Sequence, residues 1–215
     1  MIAPDTSLEA CSGRSLGDGR AAVLSSYFQY GLEGSGGYFI LLGEDGSDIV
    51  RKAIPLSGSS RALDFLVEDS KVTRMLGTTF ADGTMSIVLT DLDTAITPVH
   101  WQTTPLHAPV NIMKGRFTSD GGVVIVGMVP QPTSKFNSPA VGPQSGTLIK
   151  FDTDGALEWQ KLVTLPNASL ELNDVIEYSE GGYVAVGLRQ PFDTSQTDYL
   201  IIKTDASGNI AATEE

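Results

Sequence analysis

The sequence holds a single cysteine, Cys11, among 215 residues. That excludes a disulfide framework and a zinc site built on several thiolates. Histidine is nearly as scarce: His100 and His107 are the only two, and no cysteine or carboxylate cluster accompanies them. They read as ordinary surface or core side chains rather than metal ligands. Basic residues are few, 14 Lys and Arg against 26 Asp and Glu, for a net charge of -12. A chain of that sign is repelled by phosphate backbones and anionic bilayers, so nucleic acid is not an expected partner. No apolar run approaches the roughly 20 residues of a membrane span, so no membrane insertion is expected. The opening stretch, Met1 to Asp5, has neither a basic nor a long apolar segment, and no signal peptide is expected in it. Phosphate-cradling motifs are missing too, and Gly34-Ser35-Gly36-Gly37 reads as a turn. No cofactor is expected.

What is present is a globular composition, 41% hydrophobic and 19% charged, and an internal repeat. Asp120-Gly121-Gly122-Val123-Val124-Ile125-Val126-Gly127 returns 60 residues later as Glu180-Gly181-Gly182-Tyr183-Val184-Ala185-Val186-Gly187. Behind each copy follows a second element, Leu148 to Gly155 and Ile201 to Gly208. Fainter copies lie upstream. Asp18 to Ser25 matches the first element at a shift of 102, and Ser70 to Gly77 matches the last copy at a shift of 110. Phe39 to Gly46 and Ile87 to Asp93 stand for the second element. The chain therefore divides into four units of about 50–60 residues, at approximately 5–56, 61–106, 109–165 and 171–215.

Each unit reads as four short strands. In the last, Val175 to Tyr178, Tyr183 to Gly187 and Asp198 to Lys203 are separated by glycine-bearing turns. Leu157 to Val163 supplies a full fourth strand one unit earlier. Val123-Val124-Ile125-Val126 has no polar face, which suits a strand buried on both sides. The expected fold is all-β and β-propeller-like, four repeats each forming a four-stranded antiparallel blade. A β-sandwich is the competing fold, but it would leave one face of each sheet exposed. Arg61 to Val72 could form an amphipathic helix through Leu63, Leu66 and Val67; its place in the repeat favours strand.

The motifs D-G-G-x-x-x-x-G and K-x-D-x-x-G followed by Trp, carried by Asp120 to Gly127, Lys150 to Gly155 and Trp159, resemble a class of bacterial β-propeller repeat. Glu180 to Gly187 and Lys203 to Gly208 fit it as well, with Ala212 in the tryptophan place. The first unit has Val50 there and Leu41 in the lysine place; the second keeps Trp101 but lacks Gly-Gly. The resemblance is strongest over 110–210. It implies propeller blades in a secreted or cell-surface protein, and no catalytic residues. Such propellers usually have more than four blades, so the expected partners include a second copy or a larger parent chain completing the assembly.

Chemistry-bearing patterns are few. Gly13-Arg14-Ser15-Leu16-Gly17 matches a nucleophile elbow, but Asp18-Gly19 follows where a helix should begin, so a hairpin turn is expected. Asp152 and Asp154 alternate like the start of a calcium loop, without its closing glutamate; tight turns favour the same residues. First strands line the channel of a propeller, which makes Arg14, Glu68, Arg116 and Glu177 candidate ligand contacts, or else solvated strand ends. The long Pro130 to Gly146 insertion offers Phe136 as a further candidate. The expected function is a non-catalytic binding or scaffold module that meets a protein or glycan outside the cytoplasm through its loops. The alternatives are an enzyme of lyase, lactonase or glycoside hydrolase type at a channel mouth, and a plain spacer.

Overall fold

Short runs of β-branched and aromatic residues, cut by turns at positive φ, fold here into strands alone. The computed structural model describes residues 6–29, 34–106, 110–130, 144–194 and 196–210. Among these are fifteen strands and no helix. The first blade is β1 (Thr6–Ser15), β2 (Ala21–Gln29), β3 (Gly34–Leu42) and β4 (Asp48–Leu56). The second is β5 (Ser59–Glu68), β6 (Lys71–Ala81), β7 (Thr84–Leu92) and β8 (Pro98–Pro105). The third is β9 (Asn111–Phe117), β10 (Val123–Pro130), β11 (Gln144–Phe151) and β12 (Leu157–Val163). The fourth holds β13 (Ala168–Tyr178), β14 (Gly182–Pro191) and β15 (Asp198–Asp205), and Ile210 forms a single antiparallel bridge back to Thr204. Strand order is sequential and antiparallel in every sheet. This is the all-β, propeller-like blade architecture expected from the repeat. Residues 61–72 are strand, turn and strand. Asp69 and Ser70 both adopt positive φ there, the geometry of a two-residue hairpin, so the turn survives the loss of Gly-Gly.

The chain forms two compact units, Met1–Leu106 and His107–Glu215, each of two blades. Every first strand carries a β-bulge at the same place, at Cys11, Leu63, Met113 and Asn173. The bulge pushes the preceding carbonyl toward the second strand. That explains the closing glycine of the first motif: a Cβ on Gly127 or Gly187 would run into the carbonyl of Asn111 or Glu171.

Counting from the bulge gives each blade two comparable faces. The leading face carries Leu24 and Phe39 in the first blade and Val126 and Leu148 in the third. The trailing face carries Phe65 and Met75 in the second blade and Val175 and Ala185 in the fourth. Inside each unit the leading face of one blade packs on the trailing face of the next, with all eight side chains buried. Phe39 meets Phe65 edge-on at 5.4 Å between ring centroids. Gly37 and Gly146 keep β3 and β11 free of side chains where Met75 and Leu172 come across. Val123 to Val126 of β10 are fully buried on both faces, as this unbroken apolar run implies.

Candidate functional site

Arg14 and Arg116 occupy equivalent places on β1 and β9, opposite Ala22 and Val124. Each reaches an aspartate on the first strand of the next blade. Arg14 donates from Nη2 to Asp64 Oδ2 at 2.7 Å and from Nε to the Phe65 carbonyl at 2.9 Å. Its guanidinium also lies 5.7 Å from the Phe65 ring centroid. Ser12 donates its hydroxyl to Asp64 Oδ1 at 2.7 Å. Arg116 grips both oxygens of Asp174, at 3.1 and 2.9 Å. Asp64 is fully buried and Asp174 part-exposed, so the first clasp carries more desolvation than the second. These two aspartates escape a motif-by-motif reading, yet the signal is present. Carrying the 110-residue shift back from Ser70 and Glu180 pairs Asp64 with Asp174.

Glu177 also works between blades. Its carboxylate accepts the Ser119 N–H at 2.6 Å and the Ser119 hydroxyl at 2.8 Å, holding the β9–β10 turn. Glu68 lies on the corresponding strand but does something else. It closes the β5–β6 hairpin opposite Lys71 and accepts the Thr73 hydroxyl at 2.8 Å. Within each unit the candidates are not brought together: Arg14 and Glu68 have separate partners, as do Arg116 and Glu177. Phe136 and His107 lie outside the described residues.

The repeat motif ties strands together within a blade through its lysine and reaches the next blade through its tryptophan. Lys150 is buried on β11, and its ammonium donates to Asp120 (3.0 Å), Glu158 (3.3 Å) and the Phe151 carbonyl (2.9 Å). Burial works to raise the Asp120 carboxyl, but the Thr118 hydroxyl, Lys150 and the Gly122 N–H hold it below the ordinary range. Trp159 lies over Gly208, where an added Cβ would sit 2.7 Å from its ring, and its ring centroid is 5.6 Å from that of Tyr183. Burial, with Glu177, Asp120 and Glu158 nearby, pushes the Tyr183 hydroxyl up to about 12. Lys161 donates to Asn209 at 2.9 Å, and Lys52 to Thr97 at 3.3 Å in the other unit. In each case an outer strand is tied to the last turn of the following blade.

Asp152 spends its carboxylate on its own turn, accepting the N–H groups of Asp154 and Ala156 at 2.9 and 2.8 Å. Asp93 does the same with Ala95 and Thr97. Backbone donation from Thr97 holds Asp93 below the ordinary carboxyl range, and the Asn209 side chain does so for Asp205. Among the described residues no group of three or more His, Cys, Asp or Glu is placed to hold a metal. Gly13 to Gly17 runs from strand into a hairpin, with Gly17 at positive φ donating to the Ser15 hydroxyl at 3.2 Å; β2 follows, not a helix.

One surface stands apart from these internal contacts. On the leading face of the fourth blade, Ile176, Val186, Tyr199 and Ile201 are all exposed. Their strands lie side by side in the order β13, β14, β15, so the four form one apolar patch. Sequence reasoning missed it, because an apolar strand residue carries no mark of whether its face is covered.

No protein-family model matches the chain, and no curated protein matches it in sequence. Solved structures do resemble it. A Pyrococcus horikoshii acylaminoacyl peptidase is similar at 16% identity and a TM-score of 0.50, over 92% of this chain and 31% of that one. A Synechocystis apocarotenoid oxygenase variant is similar at 11% identity and a TM-score of 0.50, over 94% of this chain and 52% of that one. The chain thus spans about a third and about half of their lengths, and at such identities the likeness is one of fold.

Proposed function

We propose that the chain is a non-catalytic binding and scaffold module whose contact surface is the leading face of its fourth blade. The observation that carries this reading is the apolar patch of Ile176, Val186, Tyr199 and Ile201. An exposed contiguous patch on a rigid sheet marks a docking surface. Three of its four side chains are aliphatic and offer a glycan no hydrogen bonds, and Tyr199 alone brings a hydroxyl, so the partner we infer is a protein. Arg14, Asp64, Arg116, Asp174 and Glu177 support a scaffold role, since they are spent on holding one blade to the next. The extracellular setting we infer rests on the bacterial repeat that the motifs resemble.

The test is binding of the apolar dye bis-ANS at nanomolar protein concentration, with Ile201→Glu as the comparison. Dye fluorescence that falls at least severalfold in the variant is expected. No dye binding, or binding indifferent to Ile201→Glu, would show that this face docks nothing.

A further inference from the structure

The outer edges of the four sheets differ in chemistry. An edge strand presents unpaired N–H and C=O groups, and charge or proline along it discourages further pairing. The first three blades follow that rule. Their outermost strands carry Asp48, Arg51, Lys52 and Pro55 on β4, Pro98, His100 and Pro105 on β8, and Glu158 and Lys161 on β12. In the fourth blade the outermost described strand is β15, and it breaks the rule. Tyr199-Leu200-Ile201-Ile202 runs through its middle with neither charge nor proline.

That run belongs to an interior strand. By register β15 repeats β11: Val126 pairs with Leu148 and Val124 with Lys150, as Val186 pairs with Ile201 and Val184 with Lys203. β3, β7 and β11 hold the same place, and each has a fourth strand on its outer side. Among the described residues β15 has one bridge there, from Thr204 to Ile210, which repeats the pairing of Phe151 with Leu157. In the third blade β12 then continues from Trp159 opposite Lys150 to Val163 opposite Gly146. The matching stretch, Lys203 back to Tyr199, has no such strand among the described residues. All of these contacts lie within the second unit.

The third blade also shows what chemistry fits. The Lys150 ammonium lies 3.3 Å from the Glu158 carboxylate of β12. Lys203 holds the equivalent place, 4.4 Å over the Tyr178 ring, and makes no ion pair among the described residues. The residues that follow Ile210, Ala211-Ala212-Thr213-Glu214-Glu215, bring no bulky apolar side chain and little β-propensity. Going beyond the docking face, we propose that the outer edge of β15 takes up an extended segment of a partner protein by strand addition. The incoming strand runs antiparallel to β15 and carries an acidic residue that reaches Lys203. Backbone pairing supplies the affinity, and the ion pair fixes the register.

A fluorescein-labelled peptide of the β12 sequence, Leu157 to Val163, is the probe, and its anisotropy with the full chain is the measurement. Saturable binding is expected. Lys203→Glu should weaken it about tenfold or more, because like charges then meet, with circular dichroism unchanged since Lys203 is exposed. A peptide carrying Glu158→Lys should recover most of that loss on the Lys203→Glu chain. N-methylation of alternate peptide nitrogens should abolish binding, which a contact through side chains alone would survive. No saturable binding, binding indifferent to Lys203→Glu, or binding kept by the N-methylated peptide overturns the proposal. Binding that appears only after deletion of residues 211–215 overturns it as well, because the chain would then cover its own edge. The dye test of Ile201→Glu reads the docking face separately, so either reading can fail alone.

Discussion

At the scale of single residues, the strongest constraint is the carboxylate of Asp64. A fully buried anion is tolerable only with a cation and donors around it, and Arg14 and Ser12 are among those that provide them. Arg14→Met should therefore cost about 3 kcal/mol, the scale of a broken buried pair. Arg116→Met should cost about 1 kcal/mol or less, because Asp174 can turn to water. Urea unfolding of the two variants measures the difference, and equal losses would refute the distinction. Tyr183 makes a second prediction. Its hydroxyl ionises near 12 in the fold but near 10 in the unfolded chain. The contribution of Tyr183 to stability is thus fully present below pH 10 and is lost as pH rises from there toward 12. Tyr183→Phe should remove that share of the alkaline loss, as followed by denaturant midpoints across this range. Arg14 and Arg116 could be aligned from the sequence by their common shift of 102 residues. Asp64 and Asp174 align likewise by the 110-residue shift, but that they are the partners could not be read, because periodicity says which residues share a strand position and not which neighbouring side chain lies within reach.

At the scale of elements, the turns and strands were largely legible and their exceptions were not. The turn after each third strand needs a residue at positive φ, supplied by Gly46, Gly155 and Gly208. In the second blade Ile96 takes that place at φ 56, buried in the core of its unit. A β-branched residue in this region is strained by about 1–2 kcal/mol, and burial of its side chain is what outweighs the strain. Ile96→Gly relieves the backbone but empties core volume that costs about 2–5 kcal/mol to vacate. The net expectation is a loss of about 1–3 kcal/mol in thermal or urea unfolding; a stabilised variant would show that strain, not burial, dominates the turn. The sequence motif predicts glycine here, and only the packed structure shows why isoleucine is accepted. The same holds for Trp159, whose partner across the blades is Gly208. The first unit sets the smaller Val50 at the tryptophan position and the larger Ile96 at the glycine position.

At the scale of the whole molecule, the repeat visible in the sequence has a period of one blade, and the contacts described above join the two blades of each unit. Arg14 to Asp64 and Arg116 to Asp174 each join the blades of one unit, as do the Lys52 and Lys161 ties to the turns that follow. At the positions of Arg14 and Arg116 the second and fourth blades carry Leu66 and Ile176 instead. A unit whose internal clasp has been weakened opens locally before the rest of the chain unfolds. Cutting the clasp of the first unit should then act locally. In Arg14→Met, amide hydrogen exchange should accelerate about tenfold or more across β1 to β8, consistent with an opening free energy lowered by at least 1.4 kcal/mol. Exchange across β9 to β15 should change much less. Residue-resolved exchange by mass spectrometry reads both regions in one sample. A uniform acceleration along the chain would mean that all four blades open as a single cooperative body, and that the two-blade module has no energetic identity of its own.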